Sequence, residues 1–390
     1  MKQKTIFIDG LGLVEGHFSG VGHYILGIAR GLDEILEDMK YERAEEIPRI
    51  TIIIPRNTRA KYLKYNFKHI EFKTFPLSFR VMSALWYRGK LPPIDLWCGQ
   101  GTYIFPRFVD MPLLFSKSAL VIFDLSFELY RQYSDEGNAD FLSKSVQRSV
   151  KRTKKVITIS ESVKKEIVDF YGLKPSGVAV ATPATDPAVF YRRSDTEIDR
   201  VKRKYGIKGN YILALSNLEP RKNLSTLVEA YCALPKELTS KVGLLLVGVS
   251  GWKTESLFQD ITRKVEEGYN IIRPSRYVSD KDRPAIISGA KMLVYPSHYE
   301  GFGMPPLEAL ACGVPVITAN NSSLPEVVGD AAEMVPSDDT QKITLAIERY
   351  LKDIEPVTEK AVKAGPEQAA KFSWKASAQV FLDTVKELER

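Results

Sequence analysis

A chain of 390 residues with 44% apolar side chains is long enough for two or three domains, each with its own core. No run approaches the ~18 consecutive apolar residues of a membrane-spanning helix, and the net charge of +7, with no recognised nucleic-acid motif beside it, does not point to nucleic acid. Three scattered cysteines, Cys98, Cys232 and Cys312, lack metal-ligand spacing and read as reduced, buried thiols of a cytoplasmic protein.

The N-terminus runs directly into a strand, Thr5–Asp9, with no signal-peptide core. A glycine-rich turn follows (Gly16-His-Phe-Ser-Gly20-Val21-Gly22-His23-Tyr24) and opens a helix to about Leu36. Strands are then predicted at Ile50–Pro55, Ile70–Phe75, Asp95–Cys98, Ala119–Phe123, Val156–Ser160 and Val178–Ala181. They alternate with longer amphipathic stretches, the pattern of parallel α/β units. Two basic stretches stand out. Lys61 to Lys90 interleaves Lys and Arg with aromatic residues, and Lys144 to Lys155 carries six positive charges and no acidic residue. Either could be a solvated helix face or a surface for anionic lipid or a charged glycan.

The polar stretch Tyr191 to Lys208 reads as a linker leading into a helix. Strands resume at Tyr211–Ser216, Leu244–Gly248, Asn270–Arg273, Met292–Tyr295, Val314–Ala319 and Glu333–Val335. The expected class is therefore α/β with two Rossmann-like domains, 1–190 and 191–371, followed by an amphipathic helix over 372–390 with Ser373 as its N-cap.

Arg221 and Lys222 come just after the strand ending at Ser216, where ligands of open α/β sheets bind. Two cations there can engage a phosphate, Arg bidentately and Lys as a point charge. Asp280-Lys-Asp282 has the spacing of a divalent-metal motif, but it opens a helix, and acidic residues favour that end; capping is expected and no metal. The segment Pro296-Ser-His-Tyr-Glu300-Gly301-Phe302-Gly303-Met304-Pro-Pro306-Leu-Glu308 sets two carboxylates eight positions apart. Glu300 falls on a glycine-rich loop after a strand. Glu308 is placed in the first turn of the following helix, with Pro306 at its first position. Helix-start N–H groups attract anions, glycines admit a ligand to the main chain, and a carboxylate just beyond can accept from sugar hydroxyls.

The string Glu300 to Glu308 resembles the signature of the retaining glycosyltransferases of family 4, which have the GT-B fold. The likeness extends through Glu219-Pro-Arg221-Lys222-Asn223, Ile157-Thr-Ile-Ser160-Glu161, Ala184-Thr-Asp186 and Leu324-Pro-Glu326. It implies two Rossmann-like domains facing a cleft, with the last helix crossing back onto the first domain. It also implies Glu300 near a donor sugar, Glu308 on a nucleotide ribose, and Arg221 and Lys222 on the leaving diphosphate. The Gly20-Val21-Gly22 loop would lie over that diphosphate. Ser216, Gly301, Phe302, Gly303 and Met304 would complete the donor site, and Asp124 is a further catalytic candidate. No cofactor is implied beyond the nucleotide-sugar substrate.

One position departs from the family. Many members carry His-Asp after a mid-domain strand, whereas this chain has Phe123-Asp124, so the sugar contact falls to another group, with His23 and His298 as candidates. The expected activity is transfer of a hexose, mannose from GDP-mannose above UDP-glucose or UDP-N-acetylglucosamine, to a glycan or lipid-linked acceptor, cytoplasmic or at the inner face of an anionic membrane. The alternatives are a non-catalytic nucleotide- or glycan-binding protein and a sugar-nucleotide epimerase on the same architecture.

Overall fold

The computed structural model describes residues 5–14, 19–42, 47–58, 65–76, 78, 81 and 92–390. Much of the basic stretch from Lys61 to Lys90, with Trp86 and Tyr87, lies outside them. The chain divides into two compact units: Met1–Leu129, Glu136–Pro183 and Ser373–Arg390 form the first, and Tyr130–Asp135 with Ala184–Phe372 the second. The division falls at Pro183 rather than at residue 190.

Each unit is built on a parallel sheet. In the first, β1 (Thr5–Asp9), β2 (Arg49–Pro55), β3 (Ile70–Phe75), β4 (Thr102–Phe105), β5 (Lys117–Ile122), β6 (Lys155–Thr158) and β7 (Val178–Val180) lie in the order β3-β2-β1-β4-β5-β6-β7. In the second, β8 (Asn210–Leu215), β9 (Val242–Val247), β10 (Ile271–Ile272), β11 (Met292–Tyr295), β12 (Val316–Ala319) and β13 (Glu333–Val335) lie in the order β10-β9-β8-β11-β12-β13. Both sheets reverse their strand order beside the first strand of the unit, which opens a crevice at the carboxyl ends. The central strands are buried along their whole length, as in β9 and β11. That explains their continuous apolar runs: a parallel sheet covered on both faces has no polar side to alternate with.

The helices used below are α1 (Gly20–Glu42), α2 (Asp95–Cys98), α3 (Glu136–Arg152), α4 (Asp195–Tyr205), α5 (Leu224–Cys232), α6 (Arg283–Ser288), α7 (Met304–Ala311) and α8 (Trp374–Glu389). Where a strand was predicted at Asp95–Cys98, the chain forms α2, and the strand paired between β1 and β5 is β4. A run of four residues is too short for periodicity to separate the two. The buried Asp95 carboxylate settles the matter locally by accepting from the backbone N–H groups of Leu114, Phe115 and Ser116 at 3.1, 2.8 and 3.1 Å.

Within the first unit α8 lies along α1. The contact is close because α1 carries glycines there: a Cβ on Gly27 would sit 2.3 Å from the Trp374 ring, and one on Gly31 2.4 Å from the Trp374 carbonyl oxygen. Ser373 caps α8 by accepting from the Ala376 N–H. No helix among the described residues is long and apolar enough to cross a membrane.

Candidate active site

The site is assembled in the second unit from the segments after β8 and β11. After β8 the chain makes one short turn, Pro220–Lys222, with the proline at its start, where its fixed φ suits a helical turn and no N–H is lost. Asn223 then takes a left-handed conformation (φ 55°), which Asn tolerates better than most residues, and its amide donates to the carbonyls of Pro296 (3.1 Å) and Ser337 (2.5 Å). This reversal starts α5 and turns Lys222 inward, where it is buried.

The loop after β11 is held by serines from the stretch after β12. The Glu300 N–H donates to Ser322 Oγ (3.0 Å), and Ser323 Oγ donates to the carbonyls of Glu300 (2.9 Å) and Phe302 (2.7 Å). Gly303, at φ 118°, makes the turn into α7, a backbone that L side chains rarely adopt, and an added Cβ would also meet Leu324 at 2.8 Å.

These two segments bring three predicted residues together. Lys222 Nζ donates to Glu300 Oε1 at 2.6 Å and to the Tyr295 hydroxyl at 3.2 Å. Arg221 Nη1 lies 3.5 Å from Glu300 Oε2 and donates to the Tyr299 carbonyl at 3.1 Å. Its Nε and Nη2 both donate to Glu219 Oε1, at 3.2 and 2.9 Å. Both oxygens of Glu300 thus face cations. Burial works against the Glu300 carboxylate, but Lys222 and Arg221 outweigh it and hold its pKa at about 2. Glu219 and Tyr295 complete the cluster. Tyr295 was not singled out in the sequence, and Glu219 entered only as part of the string Glu219 to Asn223.

Glu308 sits elsewhere than predicted. Helix α7 starts at Met304, so Glu308 is its fifth residue, in the second turn, and Pro306 is third rather than first. Prolines at the second and third positions remove two of the helix-start N–H groups that an anion would use. Of the first three helical positions only Met304 keeps its N–H, so the charges available to an anion at this end are mainly those of Arg221 and Lys222. The Glu308 carboxylate is buried, with Oε1 3.1 Å from Arg283 Nη2 on α6 and Oε2 without a hydrogen-bond partner. Burial raises its pKa to about 7, against the pull of Arg283 and with the push of Asp280.

His298 donates its N–H to the Arg221 carbonyl (2.9 Å), and its ring lies flat on Tyr133 (5.0 Å, 8°), while Tyr130 stacks on Tyr299 at 4.4 Å. Burial lowers the His298 pKa. The segment Tyr130–Asp135 is part of this unit, which the sequence did not reveal.

Other expectations are corrected. Asp282 occupies the N-cap position of α6 but makes no capping bond. Its carboxylate instead takes the Lys204 ammonium (2.5 Å), the Tyr205 hydroxyl (2.9 Å) and the Ser279 hydroxyl (2.8 Å). In the first unit Gly20, Val21 and Gly22 form the first turn of α1 rather than a loop, with Ser19 Oγ facing the Gly22 N–H at 3.4 Å; residues 15–18 lie outside the described residues. Asp124 accepts from the Ser126 N–H (2.9 Å) and hydroxyl (2.7 Å), a local turn that occupies one of its oxygens.

Phe123 is buried edge-on to Tyr24 (5.1 Å, 86°) and against Phe108 (5.4 Å). Phe123→His is therefore expected to lower stability by roughly 2 kcal/mol, because its nitrogens would be buried among aromatic rings. A denaturant titration finding the variant as stable as the parent would show an unseen polar partner.

Two parallel α/β units, with a carboxylate–lysine–arginine cluster at the strand ends of the second, define the GT-B class of glycosyltransferase. The profile of the group 1 glycosyl transferases matches residues 195–368. O-antigen chain mannosyltransferase B of Escherichia coli is 35% identical over 270 residues, covering 69% of this chain and 70% of that protein. The serotype-specific mannosyltransferase WbdA of Escherichia coli is 30% identical over 60% of this chain, which spans 28% of its length. Among solved structures, Anabaena HepE in complex with UDP and glucose matches with a TM-score of 0.70 at 16% identity, over 98% of this chain and 99% of that one. The chain belongs to the group 1 glycosyl transferases.

Proposed function

We propose that the protein transfers mannose from GDP-mannose to a glycan or lipid-linked acceptor in cell-surface polysaccharide synthesis, with retention of configuration and without a metal. The observation that carries this is the buried Lys222–Glu300–Arg221 cluster, combined with the 35% identity to an O-antigen mannosyltransferase. With both Glu300 oxygens facing cations, a free carboxylate nucleophile is lacking there. That supports front-face transfer, in which the departing phosphate helps deprotonate the acceptor hydroxyl while Lys222 and Arg221 stabilise its charge. Glu308 would accept from the ribose hydroxyls, which supply the donors Oε2 lacks. The acceptor would be met at the inner face of the cell membrane, on a peripherally bound protein.

The test is thermal stability with GDP-mannose, UDP-glucose and UDP-N-acetylglucosamine in the presence of a chelator. A ligand at 100 times its Kd stabilises by about 2.7 kcal/mol, so GDP-mannose is expected to raise Tm by several degrees and the UDP sugars less. A product with an α-linked mannosyl residue, formed with the chelator present, completes the assignment. Preference for a UDP sugar would overturn the donor, and a requirement for a divalent cation would overturn the mechanism.

A further inference from the structure

Far along the chain from these residues, the first unit carries a surface with a distinct chemistry. Leu96 on α2 and Leu114 and Phe115 in the segment before β5 are 55%, 56% and 63% exposed. Exposure of three large apolar side chains on a mobile loop would mean little. Here they are fixed: the Asp95 carboxylate, next to Leu96 in the chain, is buried and accepts from the N–H groups of Leu114, Phe115 and Ser116. One acidic side chain therefore holds all three apolar residues at one place.

The same segment is tied to α3. Asp110 donates its N–H to Ser149 Oγ (3.1 Å), accepts from that hydroxyl (2.6 Å), and pairs with Arg152. The Lys154 N–H, just past α3, donates to the Ser118 carbonyl at the start of β5 (3.3 Å). Along α3 and beyond, Lys144, Arg148, Lys151 and Lys154 are exposed, and none is paired with an acidic side chain among the described residues. Of the acidic neighbours, Asp110 is taken by Arg152 and Ser149 and Glu387 by Lys155, and two more, Glu136 and Asp140, lie toward the start of α3. The outcome is an apolar tip tied to a helix with an excess of exposed cations, Lys144, Arg148, Lys151 and Lys154 against Glu136 and Asp140.

We propose that this surface, Leu96, Leu114 and Phe115 with Lys144, Arg148, Lys151 and Lys154, docks the protein on an anionic lipid bilayer. An apolar tip with a basic flank matches the two layers of such a surface, acyl chain edge and phosphate headgroup, and each basic residue near it contributes to binding. A polyanion alone would use the cations but not the tip, and an apolar protein partner would use the tip but not the excess charge. The proposal builds on the membrane-bound acceptor reading above.

The experiment is co-sedimentation of the full-length protein with vesicles of phosphatidylcholine, alone or in about equal mixture with phosphatidylglycerol. Binding is expected only with the anionic vesicles and should fall steeply with added salt. Leu114→Ser/Phe115→Ser and Arg148→Glu/Lys151→Glu are each expected to weaken it at least about ten-fold, while Arg203→Glu/Lys208→Glu, the same charge change in the second unit, leaves it unchanged. All six positions are exposed, so Tm should hold, and nucleotide-sugar binding measured on the same samples should be that of the parent. Parent protein left in the supernatant, or surface variants that sediment like the parent, would overturn the docking surface while leaving the transferase assignment intact. Loss of nucleotide-sugar binding in the parent itself would instead strike the functional reading. If the surface variants leave the membrane fraction of cells although the parent ignores vesicles, the occupant is a protein and the proposal is wrong.

Discussion

Lys222→Met is expected to reduce turnover about a thousand-fold and to destabilise the protein by roughly 3 kcal/mol at neutral pH. The first figure is the usual loss when one preorganised donor to developing charge is removed; the second is the cost of leaving a buried charge without its partner. Lys222 donates to Glu300 at 2.6 Å, and both side chains are buried. Without it, the one cation left beside Glu300 among the described residues is Arg221, whose nearest nitrogen is 3.5 Å away and which also donates to Glu219 and Tyr299. The pH dependence gives a sharper test than the size of the loss. In the parent, Glu300 is held at about 2, below its ordinary value of 4.5, so its contribution to stability is fully present above 4.5 and is lost as pH falls toward 2. In Lys222→Met, burial dominates and the sign reverses, because the folded state then prefers the protonated acid and loses stability as pH rises above 4.5. The gap in Tm between parent and variant should therefore widen from pH 4.5 to pH 7.5. Lys222→Met/Glu300→Gln should recover much of the stability lost in Lys222→Met at pH 7.5 and none of the lost activity. Near-parental turnover in Lys222→Met, or a Tm gap independent of pH, would remove this pair from the centre of the site.

The same pair shows how far the sequence could be read. Glycines, prolines and carboxylates at fixed spacing identified the Glu300 loop, and the two cations after β8 belonged with it because strand ends of an open parallel sheet converge. The strands were legible for a related reason: double-sided burial writes β8, β9 and β11 as unbroken apolar runs. Asp95–Cys98 misled because its four residues suit either period, and the deciding bonds come from a segment 19 to 21 residues away. Distance in sequence also hid Ser322 and Ser323, which hold the loop backbone, and Tyr133, which underlies His298. No local pattern encodes those contacts. At Glu308 the residue was legible but its environment was not: a two-residue shift of the helix start moved it from the first turn to the second, buried opposite Arg283.

That displacement has a measurable consequence. With a pKa near 7 against an ordinary 4.5, the folded protein takes up a proton at Glu308 between those values. Stability attributable to this group is complete below pH 4.5 and is lost as pH rises through 7, by up to about 3 kcal/mol. Glu308→Gln copies the protonated form without titrating. It is expected to match the parent at pH 4.5 and to exceed its Tm by several degrees at pH 8 in the absence of ligand. Nucleotide binding should run the other way. On the proposed reading ribose hydroxyls donate to the carboxylate, whose Oε2 has no other donor among the described residues, so affinity for a nucleoside diphosphate should rise with pH through 7 in the parent. In Glu308→Gln it should be flat and about ten- to a hundred-fold weaker at pH 8, since hydrogen bonds to a charged acceptor are the stronger kind. One titration thus lowers the stability of the empty protein while raising its affinity, a combination that a residue serving only as a structural partner of Arg283 would not produce. Calorimetric titration with GDP at pH 6 and pH 8 separates the two: equal affinities in the parent at both values would make Glu308 structural and move ribose recognition to another group.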